Sequence, residues 1–231
     1  LDELQSEVSF GGRDADGHWR VDFETADLDF GNLVAIFGDT IPENGRARPG
    51  GTVQITGWLD DTGGWEVRPT VSNLRCSGLL TDTAGLRHGE VVWTARDAEG
   101  EPERRHTGPG VLGFTPIQEA RTLANAIIAA EDAGFRSHPG YDMTAVRDAM
   151  QRMLDEPESG LRGGSTLTQQ LAKNLFLDAS ERTLRRKIRE LLYTLELERA
   201  LTKDEILQLY INVVEFGPGT WGAAPAAQAM F

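Results

Sequence analysis

The chain has 231 residues, of which 39% are hydrophobic and 26% charged, and its formal net charge is −13. This is the composition of a globular protein with chain enough for one or two cored domains. The acidity excludes a nucleic-acid binder, which carries a basic footprint, and the single cysteine, Cys76, excludes an internal disulfide or a cysteine-based zinc site.

The N-terminal half reads as β structure. Residues 18–24, 33–37, 52–59, 64–71 and 90–95 are short runs rich in Val, Ile, Thr and aromatics, separated by Gly, Asp, Asn and Pro. Thr52, Gln54 and Thr56 alternate roughly with Val53, Ile55 and Trp58, which leaves one face wet. The expected product is an antiparallel sheet or sandwich. His18, His88 and His106 are scattered, with no carboxylate or cysteine at ligand spacing, and read as ordinary surface or core residues. Residues 97–110 are polar and rich in Gly and Pro, and read as a linker. The charge supports that division. Residues 1–110 hold 10 Arg, no Lys and 20 acids, for −10, whereas residues 111–231 hold 13 basic and 16 acidic residues, for −3. Two domains are therefore expected, 1–110 and 111–231.

Beyond the linker the apolar period becomes helical. Residues 117–130, 143–154, 186–201 and 203–213 carry apolar side chains at steps of three and four. Breaks fall at 139–140, 158–164 and 217–219. No apolar run reaches 18 residues, so no segment reads as a spanning helix. The chain starts at Leu1 rather than Met, and is expected to be an excised or processed piece whose anchor or export signal lies outside it.

Several polar clusters stand out in this helical half. Residues 163–174 hold two glycines, three hydroxyls, three amides and one ammonium around Leu167 and Leu171. Thr166 and Gln169 have capping-box spacing, and the helix they open is expected to offer free N–H groups to an anion such as a phosphate. Glu131 and Asp132 close an apolar helix, and partial burial there would make a carboxylate a better base. Arg182, Arg186 and Lys187 precede Glu190 in a basic cluster able to neutralise a diphosphate. Each cluster alone has an ordinary structural reading: surface charges at a helix end, a capped helix, an i,i+4 ion pair.

Together the clusters resemble the peptidoglycan glycosyltransferases of family 51, the monofunctional transglycosylases and the N-terminal module of class A penicillin-binding proteins. The first motif is Glu131-Asp132-x-x-Phe135-x-x-His138-x-Gly140. The second runs from Gly163 and Gly164 through Ser165, Thr166, Thr168, Gln169, Gln170, Leu171 and Lys173 to Asn174. Arg182, Arg186, Lys187 and Glu190 carry the third; Lys203, Ile206, Leu207, Tyr210 and Asn212 the fourth; Glu215, Phe216, Gly217 and Gly219 the fifth.

The resemblance implies an α+β multidomain chain, with an N-terminal antiparallel β domain before a mostly helical, lysozyme-like glycosyltransferase domain that is short at its C-terminal end. The implied reaction is inverting polymerisation of lipid II into glycan strands, with release of undecaprenyl diphosphate. Glu131 would be the general base, and Glu190 would support the diphosphate site, with room for a divalent Mg or Mn ion through the diphosphate; no organic cofactor is implied. Ser165, Thr166, Gln169, Gln170, Lys173, Asn174, Arg182, Arg186 and Lys187 would bind sugar and diphosphate. Asp132, Phe135, His138, Gly140, Gly164, Tyr210 and Asn212 would shape the site. Residues 143–154 would face the bilayer and admit the lipid tail. The implied partners are lipid II, the growing strand and the membrane surface, at the periplasmic face of the inner membrane, with other cell-wall synthesis proteins reached through residues 1–110. Gln208 departs from the family pattern, which carries an acid at that position. A lytic enzyme on the same kind of fold, and a non-catalytic cell-wall-binding module, are the rival readings; the basic cluster disfavours the first, because a glycan without phosphate needs no such charge.

Overall fold

A computed structural model describes residues 6–13, 17–38, 41–144, 164–178, 181 and 183–231. The chain forms two compact units, Leu1–Arg75 and Cys76–Phe231.

The first unit is an antiparallel sheet. β1 (Ser6–Arg13), β2 (Trp19–Thr25) and β4 (Gly50–Asp60) lie side by side; β4 also pairs with the short β3 (Leu28–Asp29) and with β5 (Trp65–Arg75). The register places Trp58 opposite Asp22 on one side and Glu66 on the other. Trp58 therefore stands on the polar face, which is why the alternation in the sequence is imperfect. Its indole donates to Glu66 at 2.9 Å, and the Arg20 guanidinium lies 4.2 Å from its ring centre.

One expected strand is a helix. The β-branched run 33–37 falls in and after α1 (Phe30–Ala35). Asp29 caps α1 by accepting the Asn32 amide at 2.8 Å. Phe30 and Val34, four apart, are its buried face. Cap and spacing together override the strand propensity of the run.

The second unit opens on α2 (Thr83–His88) and a hairpin of β6 (Val91–Arg96) and β7 (Pro102–Thr107). The expected linker is thus the turn and second strand of a hairpin. β6 buries Val91, Trp93 and Ala95 against the helices, whereas β7 is almost wholly exposed and shows no apolar period. Further contacts tie this segment into the helical unit. The Leu79 amide donates to the fully buried Glu196 at 3.3 Å, Arg105 Nη2 donates to the Gly219 carbonyl at 3.2 Å, and the Trp221 indole donates to the Arg96 carbonyl at 2.8 Å.

The helices follow: α3 (Arg121–Glu131), α4 (Leu167–Phe176), α5 (Leu184–Ala200), α6 (Lys203–Val213) and, after the small β8 (Glu215–Gly217) and β9 (Thr220–Trp221) hairpin, α7 (Ala223–Met230). α4 packs against α5, α6 and β6. Phe135, Leu167, Leu171, Ala172, Leu192, Leu197, Ile206, Leu207, Ile211 and Val213 fill the core between them. Capping boxes start α4 (Thr166 with Gln169) and α6 (Thr202 with Glu205). The unit is mostly helical, as expected, with antiparallel hairpins added. No helix among the described residues is long and apolar enough to cross a membrane.

Candidate active site

The site grows along α4. At its N-terminus the backbone amide of Leu167 donates to Asp132 Oδ2 at 2.9 Å, and Thr166 Oγ1 accepts the Gln169 amide at 3.2 Å. Two of the amides expected to greet an anion are therefore already satisfied within the protein. Thr166 and Gln169 are buried; the Thr166 amide donates to Gln169 Oε1 at 2.9 Å, and the Gly140 carbonyl accepts the Thr166 hydroxyl at 2.6 Å. These bonds hold the start of the helix in place.

Asp132 is the buried member of the acidic pair. Its Oδ1 accepts His138 Nε2 at 2.8 Å, and His138 Nδ1 accepts the Gly140 amide at 3.1 Å, which fixes the proton on Nε2. Gly140 has φ +90°, and a Cβ there would stand 2.6 Å from Glu198 Cγ. Phe135 is fully buried, with the Lys203 ammonium 4.6 Å from its ring centre. Lys203 also donates to the His138 carbonyl and to Glu198, each at 2.8 Å. The turn after α3 is thereby bolted to α4, α5 and α6.

Glu131 is exposed, contrary to the burial expected for it: it is the last residue of α3, and its Asp132 neighbour takes the inward position. Its Oε2 accepts Gln170 Nε2 at 3.2 Å, and Gln170 Oε1 accepts the Tyr210 hydroxyl at 2.9 Å.

Three residues after Gln170, one turn along α4, Lys173 enters a charged cluster. Burial lowers its pKa most; Glu190 pushes it up, Arg186 and Lys187 push it down, and Glu215 pushes it up. Glu190 on α5 is almost fully buried. Arg186 Nη1 lies 3.3 Å from its Oε2, and the Lys187 ammonium is bonded to its Oε1. Lys187 also donates to Ser165 Oγ at 3.1 Å, which joins the loop before α4 to α5. Arg186 Nε is buried without a partner among the described residues. Arg186 and Lys187 occupy the first turn of α5, where no acid stands. Cations at the positive end of a helix cost stability, and the ion pairs that both make with Glu190 offset that cost.

The described residues do not make a divalent-metal site. Both Glu190 oxygens are held by cations, and no three His, Cys, Asp or Glu side chains converge among the described residues. Asn174 and Gly164 lie on and just before α4, Gly164 with φ +82°. Asn212 sits away from the charges: it accepts the Thr115 amide at 2.8 Å and donates to the Thr115 carbonyl at 2.9 Å. Gln208 works beside it, donating to the Thr115 carbonyl and accepting the Ile117 amide, both at 2.7 Å. An acid at 208 could not donate to that carbonyl, so the amide suits this chain. Arg182, and residues 145–154 of the stretch expected to face the bilayer, lie outside the described residues.

Sequence reasoning missed Glu198 and Thr194. Glu190, Thr194 and Glu198 recur every four residues on α5 and form one polar row on a buried face. Thr194 donates to the Glu190 carbonyl at 2.7 Å, and Glu198 accepts the Thr168 hydroxyl at 2.5 Å. That spacing was the available signal.

A family model described as transglycosylase matches residues 114–231. The biosynthetic peptidoglycan transglycosylase of Bordetella avium (strain 197N) is 38% identical over 186 residues, covering 74% of this chain and 74% of the relative. That of Cupriavidus pinatubonensis is 50% identical over 114 residues, covering 49% of this chain and 44% of the relative. That of Burkholderia pseudomallei is 48% identical over 138 residues, covering 59% and 51%. Of the last two, then, the chain covers about half.

Proposed function

Because this chain belongs to the transglycosylase family, we propose that it polymerises lipid II into peptidoglycan glycan strands at the cell envelope. One observation carries this reading. A single face of α4 bears Gln170, bonded to Glu131, and one turn away Lys173, beside Glu190, Arg186 and Lys187. A carboxylate and a cluster of cations thus meet side chains one turn apart on the same helix.

Glu131 takes the proton from the 4-hydroxyl of the acceptor GlcNAc. That oxygen forms a bond to the anomeric carbon of the donor MurNAc, while the bond from that carbon to the diphosphate oxygen breaks on the opposite face. The configuration inverts, and undecaprenyl diphosphate leaves. Lys173, Arg186 and Lys187 hold the diphosphate and stabilise the charge that builds on it. Charge prepositioned in this way is commonly the largest catalytic contribution, with one lost donor costing roughly 2.7–4 kcal/mol. Glu190 keeps the three cations together. No step needs a metal ion, because the cluster already supplies the positive charge.

Incubation with lipid II in detergent or vesicles tests the reading. Glycan strands and free undecaprenyl diphosphate support it; cleavage of preformed strands, or no turnover, overturns it. The periplasmic face of the inner membrane as the place of action, and contacts with other cell-wall synthesis proteins through residues 1–110, belong to the same proposal.

A further inference from the structure

We infer that Tyr210 is a positioning residue that fixes the proposed base, Glu131, by locking the side-chain amide of Gln170 in one orientation. The inference rests on the proposed function and adds a role to two residues.

The chain of contacts runs from α6 through α4 to the end of α3. The Tyr210 hydroxyl donates to Gln170 Oε1 at 2.9 Å, and Gln170 Nε2 donates to Glu131 Oε2 at 3.2 Å. By donating to Oε1, the Tyr210 hydroxyl favours the orientation in which the amide nitrogen faces Glu131. Tyr210 is 3% exposed. Burial, then the charges of Glu131 and Asp132, hold its hydroxyl above its usual pKa, so it remains a donor wherever the enzyme works. Among the described residues Glu131 Oε1 accepts nothing, which leaves that oxygen for the acceptor sugar.

Without the phenol, the Gln170 amide loses the contact that orients it, and Glu131 is held less firmly in place for the acceptor hydroxyl.

The experiment measures lipid II polymerisation by the wild type, Tyr210→Phe, Gln170→Met and the double variant, together with the carbon-13 signal of the Glu131 carboxyl at one pH. Each single change should lower kcat by between about tenfold and a hundredfold and leave KM within about twofold. The Glu131 carboxyl signal of Tyr210→Phe should differ from that of the wild type. The double variant should be no worse than the poorer single, because the two residues act through one contact. A Tyr210→Phe enzyme with wild-type kcat, or with an unchanged Glu131 carboxyl signal, overturns the inference, as do additive losses in the double variant. A wild type that makes no glycan refutes the proposed function instead, and the carboxyl signal still decides whether Tyr210 acts on Glu131.

Discussion

Asp132 Oδ2 accepts the backbone amide of Leu167 at 2.9 Å, so the carboxylate beside the proposed base adds to the Thr166 cap of the helix that carries Gln170 and Lys173. Glu131 and α4 therefore share one brace. Asp132 also accepts His138 Nε2 and is 5% exposed at its side chain. Asp132→Asn offers one acceptor oxygen where two are used, so one buried donor is left unmet. The expected loss is about 1–3 kcal/mol, read as a lower urea midpoint at an unchanged slope, with a parallel loss of polymerisation. Wild-type stability in this variant would remove the brace.

Lys173 illustrates stability given up for charge. Its lowered pKa means that the folded state disfavours its ammonium, chiefly through burial. The sign follows from proton binding. Between the lowered value and the ordinary lysine value the unfolded chain binds more protons, so stability rises with pH across that window. Below it, the cost is fully present. Lys173→Met should therefore raise the melting temperature at neutral pH by a few degrees, about the effect of 1 kcal/mol, while polymerisation falls sharply. The stability difference from the wild type should shrink as pH approaches 10.5. A variant less stable than the wild type at pH 7 would contradict this account.

Glu190 stands among Lys173, Arg186 and Lys187, and its two oxygens are bonded to the latter pair. A divalent ion there would meet three cations and no free carboxylate. Polymerisation in excess chelator should proceed at the untreated rate. A rate that collapses and returns on adding Mg or Mn would show that the diphosphate is held otherwise.

The parts of this protein legible in its sequence are those where local chemistry and global packing agree. Thr166 with Gln169 announced a capped helix, and the helix begins at Leu167. The apolar steps of 203–213 are the buried face of α6. Where one strand borrows its stability from another, the sequence was silent. β7 carries Glu103, Arg104, Arg105 and His106 with no apolar alternation, and exists because β6 pairs with it. For the same reason the polar stretch 97–110 looked like a linker. Within the site, residue types were legible and their duties were not. Thr166 and Gln169 are as polar as Ser165 and Gln170, yet the first pair closes a cap and the second pair reaches Lys187 and Glu131. Only the direction of each side chain separates them.

The central claim is that Glu131 removes the acceptor proton. Glu131→Gln keeps the volume and can still bond Gln170, so the melting temperature should stay close to that of the wild type. The most direct measurement is single-turnover polymerisation of labelled lipid II by this variant, compared with the wild type. The account predicts binding of lipid II at near wild-type affinity with glycan formation lower by at least about a hundredfold. Strand synthesis at the wild-type rate would contradict it.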